Sequence, residues 1–179
     1  MIDKEFHMIF YLESNMNEDC RRLIQDCYQD ITKIETLILH DQMATENRFL
    51  IDYSIIRACS TIEKCFKITI YEYLSKRVKL DTRAYLSKQL IDSSANPKVG
   101  IMESILSDIN GRKCDIFKGK IQNHNSDNIK SDLNSLVTLR NNVAHCNLTS
   151  GTQSIGTIIK YYKSGVKVLR YLEDTLYRR

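Results

Sequence analysis

Arg140, Asn141 and His145 stand within one six-residue stretch and are of types that could do chemistry together. A guanidinium forks two hydrogen bonds onto a carboxylate or a phosphate. An imidazole changes charge near neutral pH and can give or take a proton. Asn141 and His145 are four residues apart, so they share a face of a helix. Arg140 and His145 are five apart, about 140° round a straight helix. The three converge if the helix ends or bends near His145, or if a second copy of the helix completes the set across a two-fold axis. Each also has a plainer role. Arg140 can pair with a core carboxylate, and His145 can sit at the negative end of a helix dipole.

The helix that carries them is expected to start from a cap at Ser126 or Asp127 and to end near His145. Its apolar side is Ile129, Leu133, Leu136, Val137, Val143 and Ala144, with Arg140 in the middle of that stripe. A guanidinium is not buried alone, because its desolvation is too costly without a partner. Arg140 therefore needs a partner, an interface or a solvated site. Glu63 lies on the stripe of Ile56, Cys59, Phe66 and Ile70 of an earlier helix and is the candidate ion-pair partner, in an architectural more than a catalytic role. Arg57 and Lys64 on that helix would add positive potential, although basic residues on a long helix are commonly just solvated.

Apolar residues at steps of three and four mark the other elements. After a lead-in of fifteen residues, partly extended, Asn15 or Asn17 caps a helix to about His40. A long helix from about Thr45 to Arg77 carries the stripe Phe49, Tyr53, Ile56, Cys59, Phe66, Ile70 and Leu74, with Ile51, Ile55, Ile62 and Ile68 to the side. Apolar over so wide an arc, it should be central, with neighbours on more than one flank. Asp81 is expected to cap a helix from Thr82 to about Ser93, which Asn96-Pro97 closes. A short helix from Val99 to Asn110 should stop at Gly111. Residues 112–126 read as a polar loop with a short ordered stretch near Ile116-Phe117. The last helix runs from about Thr152 to Tyr177. The expected fold is all-α: one domain, a four-helix bundle with a helical and loop insertion over about 79–126, between core helices two and three.

Composition narrows the classes. A chain of 179 residues with one proline and six glycines fits one helical domain. Its net charge of +4 permits contact with a polyanion without demanding it. The six cysteines form no Cys-x-x-Cys pair and no zinc-like cluster, which suits a reduced, cytoplasmic protein. Neither a secretory signal nor a membrane span is expected. His7, His40 and His124 lack companions at ligand spacing, and there is no phosphate-cradling glycine loop. No metal and no cofactor is expected. The ten tyrosines could stack bases but suit core or interface positions better.

The Arg-x4-His spacing, with Asn directly after Arg and Ala directly before His, is similar to the signature of the HEPN superfamily. Leu136-Val137-Thr138-Leu139-Arg140-Asn141-Asn142-Val143-Ala144-His145 resembles its usual context, an apolar helix leading into the motif. Ile56 to Phe66 resembles the long central helix of HEPN groups related to the RiboL-PSP and MAE types. The resemblance covers about residues 16 to 178, although its specific motif is six residues long and residues 79–126 carry none. It implies a metal-independent endoribonuclease in which the ribose 2′-OH of RNA is the nucleophile. Arg140 would stabilise the charged transition state and His145 would move the proton, while Asn141 would position phosphate or ribose. Glu63, Arg57 and Asn142 would support them. The products would carry a 2′,3′-cyclic phosphate and a 5′-hydroxyl. It further implies a homodimer with both motifs facing one cleft, and a toxin or antiphage-defence role with an antitoxin or defence-system partner protein. The alternatives are a non-catalytic HEPN dimerisation or RNA/nucleotide-binding module of a larger system, and a plain helical interaction protein.

Overall fold

The computed structural model describes residues 16–93, 95–123, 128–145 and 153–177. Seven helices, and no strand, occur among the described residues. Helix α1, Glu18–His40, starts where the Asn17 side chain accepts from the amides of Asp19 and Cys20. This satisfies donors that have no partner within the helix. It buries Cys20, Ile24, Cys27, Tyr28, Ile31 and Ile34. Helix α2, Asn47–Ser75, packs against three other long elements and is central, as its broad apolar arc implies. After α2 come α3 (Leu80–Leu90), α4 (Val99–Ile109) and α5 (Gly111–Gln122). Helices α6 (Ile129–Ala144) and α7 (Ile155–Tyr177) complete the bundle. Helix α7 touches α1, α2 and α6, and α6 also packs on α2.

The α2–α7 crossing is close because α7 carries Gly165 there. A Cβ at that position would lie 3.1 Å from Ile62 Cδ1 and Cγ1 and 3.3 Å from Leu133 Cδ1. Gly165→Val should therefore push α2 and α6 off α7 and lower stability by about 1–3 kcal/mol. The readout is a lower denaturant midpoint at unchanged slope. Nearby, the buried Tyr162 hydroxyl donates to the Ile24 carbonyl at 2.7 Å, which ties α7 to α1.

Three expectations need correction. The expected loop over 112–126 is helical as far as Gln122: Gly111–Gln122 forms a helix that buries Cys114, Phe117 and Ile121, and residues 124–126 lie outside the described residues. Gly111 does not end α4; Asn110 ends it and caps α5, accepting from Arg112 N at 3.0 Å. Helix α3 starts at Leu80, so Asp81 lies inside its first turn and no side chain caps it. Helix α3 packs on α2, α5 on α7 and α4 on α6, so these helices clothe the bundle's flanks. Asn128, through its bond from Ser131 N, caps α6; Ser126 and Asp127 lie outside the described residues. So do the lead-in, His7, His124, Cys146 and Thr152.

The α2 stripe also needs correction. Phe49 is 72% exposed, Tyr53 51% and Ile56 43%. The buried side of α2 is instead Ile55, Ala58, Cys59, Ile62, Cys65, Phe66 and Ile70. Helices α1, α6 and α7 pack against the other sides of α2 and leave the start of this stripe uncovered.

Candidate active site

Arg140 lies one turn before the end of α6, on the side that meets α2. Its neighbours in the stripe, Leu133, Leu136 and Val137, are buried, while the guanidinium reaches an edge where the side chain is 26% exposed. Both of its hydrogen bonds leave from Nη2. One goes to Glu63 Oε2 at 2.9 Å and one to Asn96 Oδ1 at 2.7 Å. Arg140 and Glu63 thus form the ion pair expected from their stripes. No oxygen among the described residues takes a bond from Nε or Nη1. The guanidinium is thus held to oxygen acceptors through one nitrogen, and the Cys59 side chain also lies against it.

Glu63 serves a second cation. Its Oε1 accepts from Lys67 Nζ at 2.7 Å, one turn along α2. Lys67 is buried and also donates to the Ser93 carbonyl. One carboxylate between two cations leaves the cluster with net positive charge. Ser93 and Asn96 follow α3, and Asn96 precedes the buried Pro97, which disfavours helical geometry there.

His145 is the residue that closes α6. Its N–H bond to the Asn141 carbonyl at 3.0 Å continues the helical ladder, and only its ψ of 14° turns the chain out of the helix beyond it. The helix therefore does not bend to bring His145 toward Arg140. Five residues of unbroken helix leave the two side chains about 140° apart. Asn141 and Asn142 are half-buried and His145 is exposed. None of these three side chains hydrogen-bonds to another described residue. Asn141 lies on the His145 side, whereas Asn142 projects from the side nearly opposite Arg140, about 160° away. Arg57, expected to add potential here, turns instead to α1 and pairs with Asp30 at 3.1 Å. Lys64 is exposed and has no ion-pair partner among the described residues. Among the described residues no cluster of three His, Cys, Asp or Glu side chains could hold a metal ion.

A family model for RiboL-PSP-HEPN matches residues 15–178. The chain belongs to the RiboL-PSP-HEPN family. Comparison with curated proteins and with solved structures returns no match. In this HEPN chain the six-residue motif spans the last turn of α6 and its cap, and the match runs through α3, α4 and α5 as well as the bundle helices. No helix of the described residues is long and apolar enough to cross a membrane.

Sequence reasoning missed three residues that shape the HEPN site. Lys67 was legible, since a Lys four residues after a Glu is a helix pairing signal. Asn96 was seen only as a helix stop. Cys59, fully buried, lies against the guanidinium. Burial pushes its thiol pKa up, with Arg140 offsetting part of the rise, which favours the neutral thiol.

Proposed function

We propose that this HEPN chain is a metal-independent endoribonuclease. The observation that carries the proposal is the state of Arg140: anchored through one nitrogen by Glu63 and Asn96, half-turned to solvent, and one turn from an exposed histidine. An arginine that served only to neutralise Glu63 would be redundant, because Lys67 already pairs with that carboxylate. RNA brings its own nucleophile, so the protein must move one proton and stabilise charge on the phosphate. His145 does the first, Arg140 the second through Nη1 and Nε, and Asn141 orients phosphate or ribose. Glu63 positions Arg140.

Because the two groups diverge on one helix, the working unit is a homodimer. Arg140 of one copy and His145 of the partner subunit serve one RNA phosphate across a two-fold axis, which generates two such sites. The domain then acts as a toxin or antiphage-defence effector, restrained or triggered by a partner protein. A second function, a non-catalytic RNA-binding module, draws on the same ion pair, since Glu63 and Asn96 alone could satisfy a structural Arg140.

Incubation with mixed RNA in excess EDTA tests the enzyme. Cleavage should persist in chelator and leave 2′,3′-cyclic phosphate and 5′-hydroxyl ends. Strands lacking 2′-hydroxyls should stay intact. RNA that is bound but never cut would favour the module.

A further inference from the structure

Beside the Arg140 cluster, α2 and the end of α3 enclose a groove of about 340 Å³ lined by Ser60, Glu63, Lys64, Lys67, Ile68 and Ile91. Small-ligand sites run from roughly 300 to 1,000 Å³. Glu63 belongs to both features: one oxygen holds Arg140 and the other holds Lys67 at the groove. Lys67 has three N–H donors and spends them on Glu63 and the Ser93 carbonyl, which leaves one. Its side chain is 10% exposed, so that charge is poorly screened by water. Lys64 adds a cation with no ion-pair partner among the described residues. The groove is also lined by two half-buried isoleucines, Ile68 and Ile91, and by the exposed Ser60; Ser60 and Ile68 each lie one turn from Lys64 on α2.

Two other grooves lack this combination. The one between α6 and α7 is lined by amides and hydroxyls together with Leu139 and Tyr161, and its lysine, Lys130, is paired with Glu103, so it offers no unpaired lysine. The one at the end of α7 sets Glu72 beside Lys76. The α2 groove alone among the three joins an excess of positive charge to an apolar wall. That suits a ligand with an anionic end and a flat apolar body.

We propose that this groove binds a nucleotide of single-stranded RNA adjacent to the phosphate held by Arg140. Its phosphate meets Lys64 and Lys67, its base lies on Ile68 and Ile91, and Ser60 reaches the ribose. The proposal rests on the ribonuclease function and adds a strand direction to it: the RNA runs along the outer face of α2, from Glu63 toward Ile68. Four residues, a rise of about 6 Å, separate Glu63 from Lys67, so neighbouring phosphates can be met by Arg140 and the lysines in turn.

The test uses Lys64→Ala and Ser60→Glu, both exposed positions outside the core, with Lys118→Ala on α5 as a charge-loss control. Binding is read by fluorescence anisotropy with a 2′-O-methyl oligoribonucleotide, which lacks the nucleophile, and with AMP as a second probe. Cleavage is read as kcat and KM on unmodified RNA. Both groove variants should weaken oligonucleotide binding about tenfold and raise KM with little change in kcat, the pattern of lost uniform binding. AMP should compete, and Lys118→Ala should behave as wild type. Wild-type cleavage with unchanged KM and affinity in both groove variants overturns the groove and leaves the nuclease standing. Oligonucleotide binding lost in the variants, with no cleavage by wild type, supports the groove and overturns the nuclease. Neither binding nor cleavage by wild type overturns both.

Discussion

His145→Ala should lower the rate of RNA cleavage by about 10²–10⁴-fold, the usual contribution of a positioned general acid or base. The fold should not notice. The imidazole is exposed and bonds to no other described side chain, and only the backbone of residue 145 takes part in closing α6. The unfolding free energy should therefore stay within the roughly ±0.5 kcal/mol typical of surface substitutions. This separates catalysis from helix capping. If His145 acted only on the α6 dipole, the alanine would cost a few tenths of a kcal/mol of stability and no activity. A variant that retains cleavage would remove the histidine from the mechanism.

Arg140 should behave differently, because it has both an anchor and a spare edge. Arg140→Ala removes the donor that stabilises transition-state charge, a loss of about 10²–10³-fold in kcat. It also withdraws one of the two cations from the half-buried Glu63, though Lys67 remains paired to it. The stability cost should therefore stay near 1–2 kcal/mol, below the penalty for a wholly uncompensated buried charge. Arg140→Lys discriminates more finely. A lysine can restore the single contact to Glu63 but has no planar fork for a phosphate. Stability should return close to wild type while cleavage stays impaired at least tenfold. Full rescue of cleavage by lysine would mean that charge alone suffices and that the Nη1–Nε edge is unused. Recovery of neither property would mean that the Asn96 bond, and not Glu63, sets the geometry.

Part of this site was legible in the chain. An arginine interrupting the stripe Leu133, Leu136, Val137 demands a partner, and a glutamate interrupting the stripe Cys59, Phe66, Ile70 is a natural one; the structure joins them at 2.9 Å. The bundle was legible for the same reason: periodicity shows which helices have a face to bury. What periodicity does not show is which neighbour covers that face. Phe49, Tyr53 and Ile56 continue the α2 pattern in sequence yet stand exposed, because none of the described helices packs over the start of that stripe. Asn96 is far from Arg140 in sequence, and only the return of the chain after α3 brings it within 2.7 Å. Helix α5 was obscured by composition. Lys113, Lys118 and Lys120 and two glycines give it a loop-like surface, while Cys114, Phe117 and Ile121 make a narrow buried seam. Lys113 has a structural duty as well, donating to the carbonyls of Thr175 and Leu176 at the end of α7.

The geometry of α6 sets Arg140 and the Asn141–His145 pair on different sides of the helix. Arg140 faces α2 and its spare edge opens at the rim, while Asn141 and His145 face round the helix. Either long side chains curl back to meet, or a second α6 supplies the missing half. Complementation between two inactive variants distinguishes these directly. Arg140→Ala and His145→Ala proteins are mixed, allowed to exchange subunits, and assayed in EDTA. With paired groups drawn from opposite copies, half of a random mixture is mixed dimer and each mixed dimer holds one intact site, so about a quarter of wild-type activity should return. A mixture as inactive as its components, despite exchange shown by native mass spectrometry, would contradict a site shared between copies.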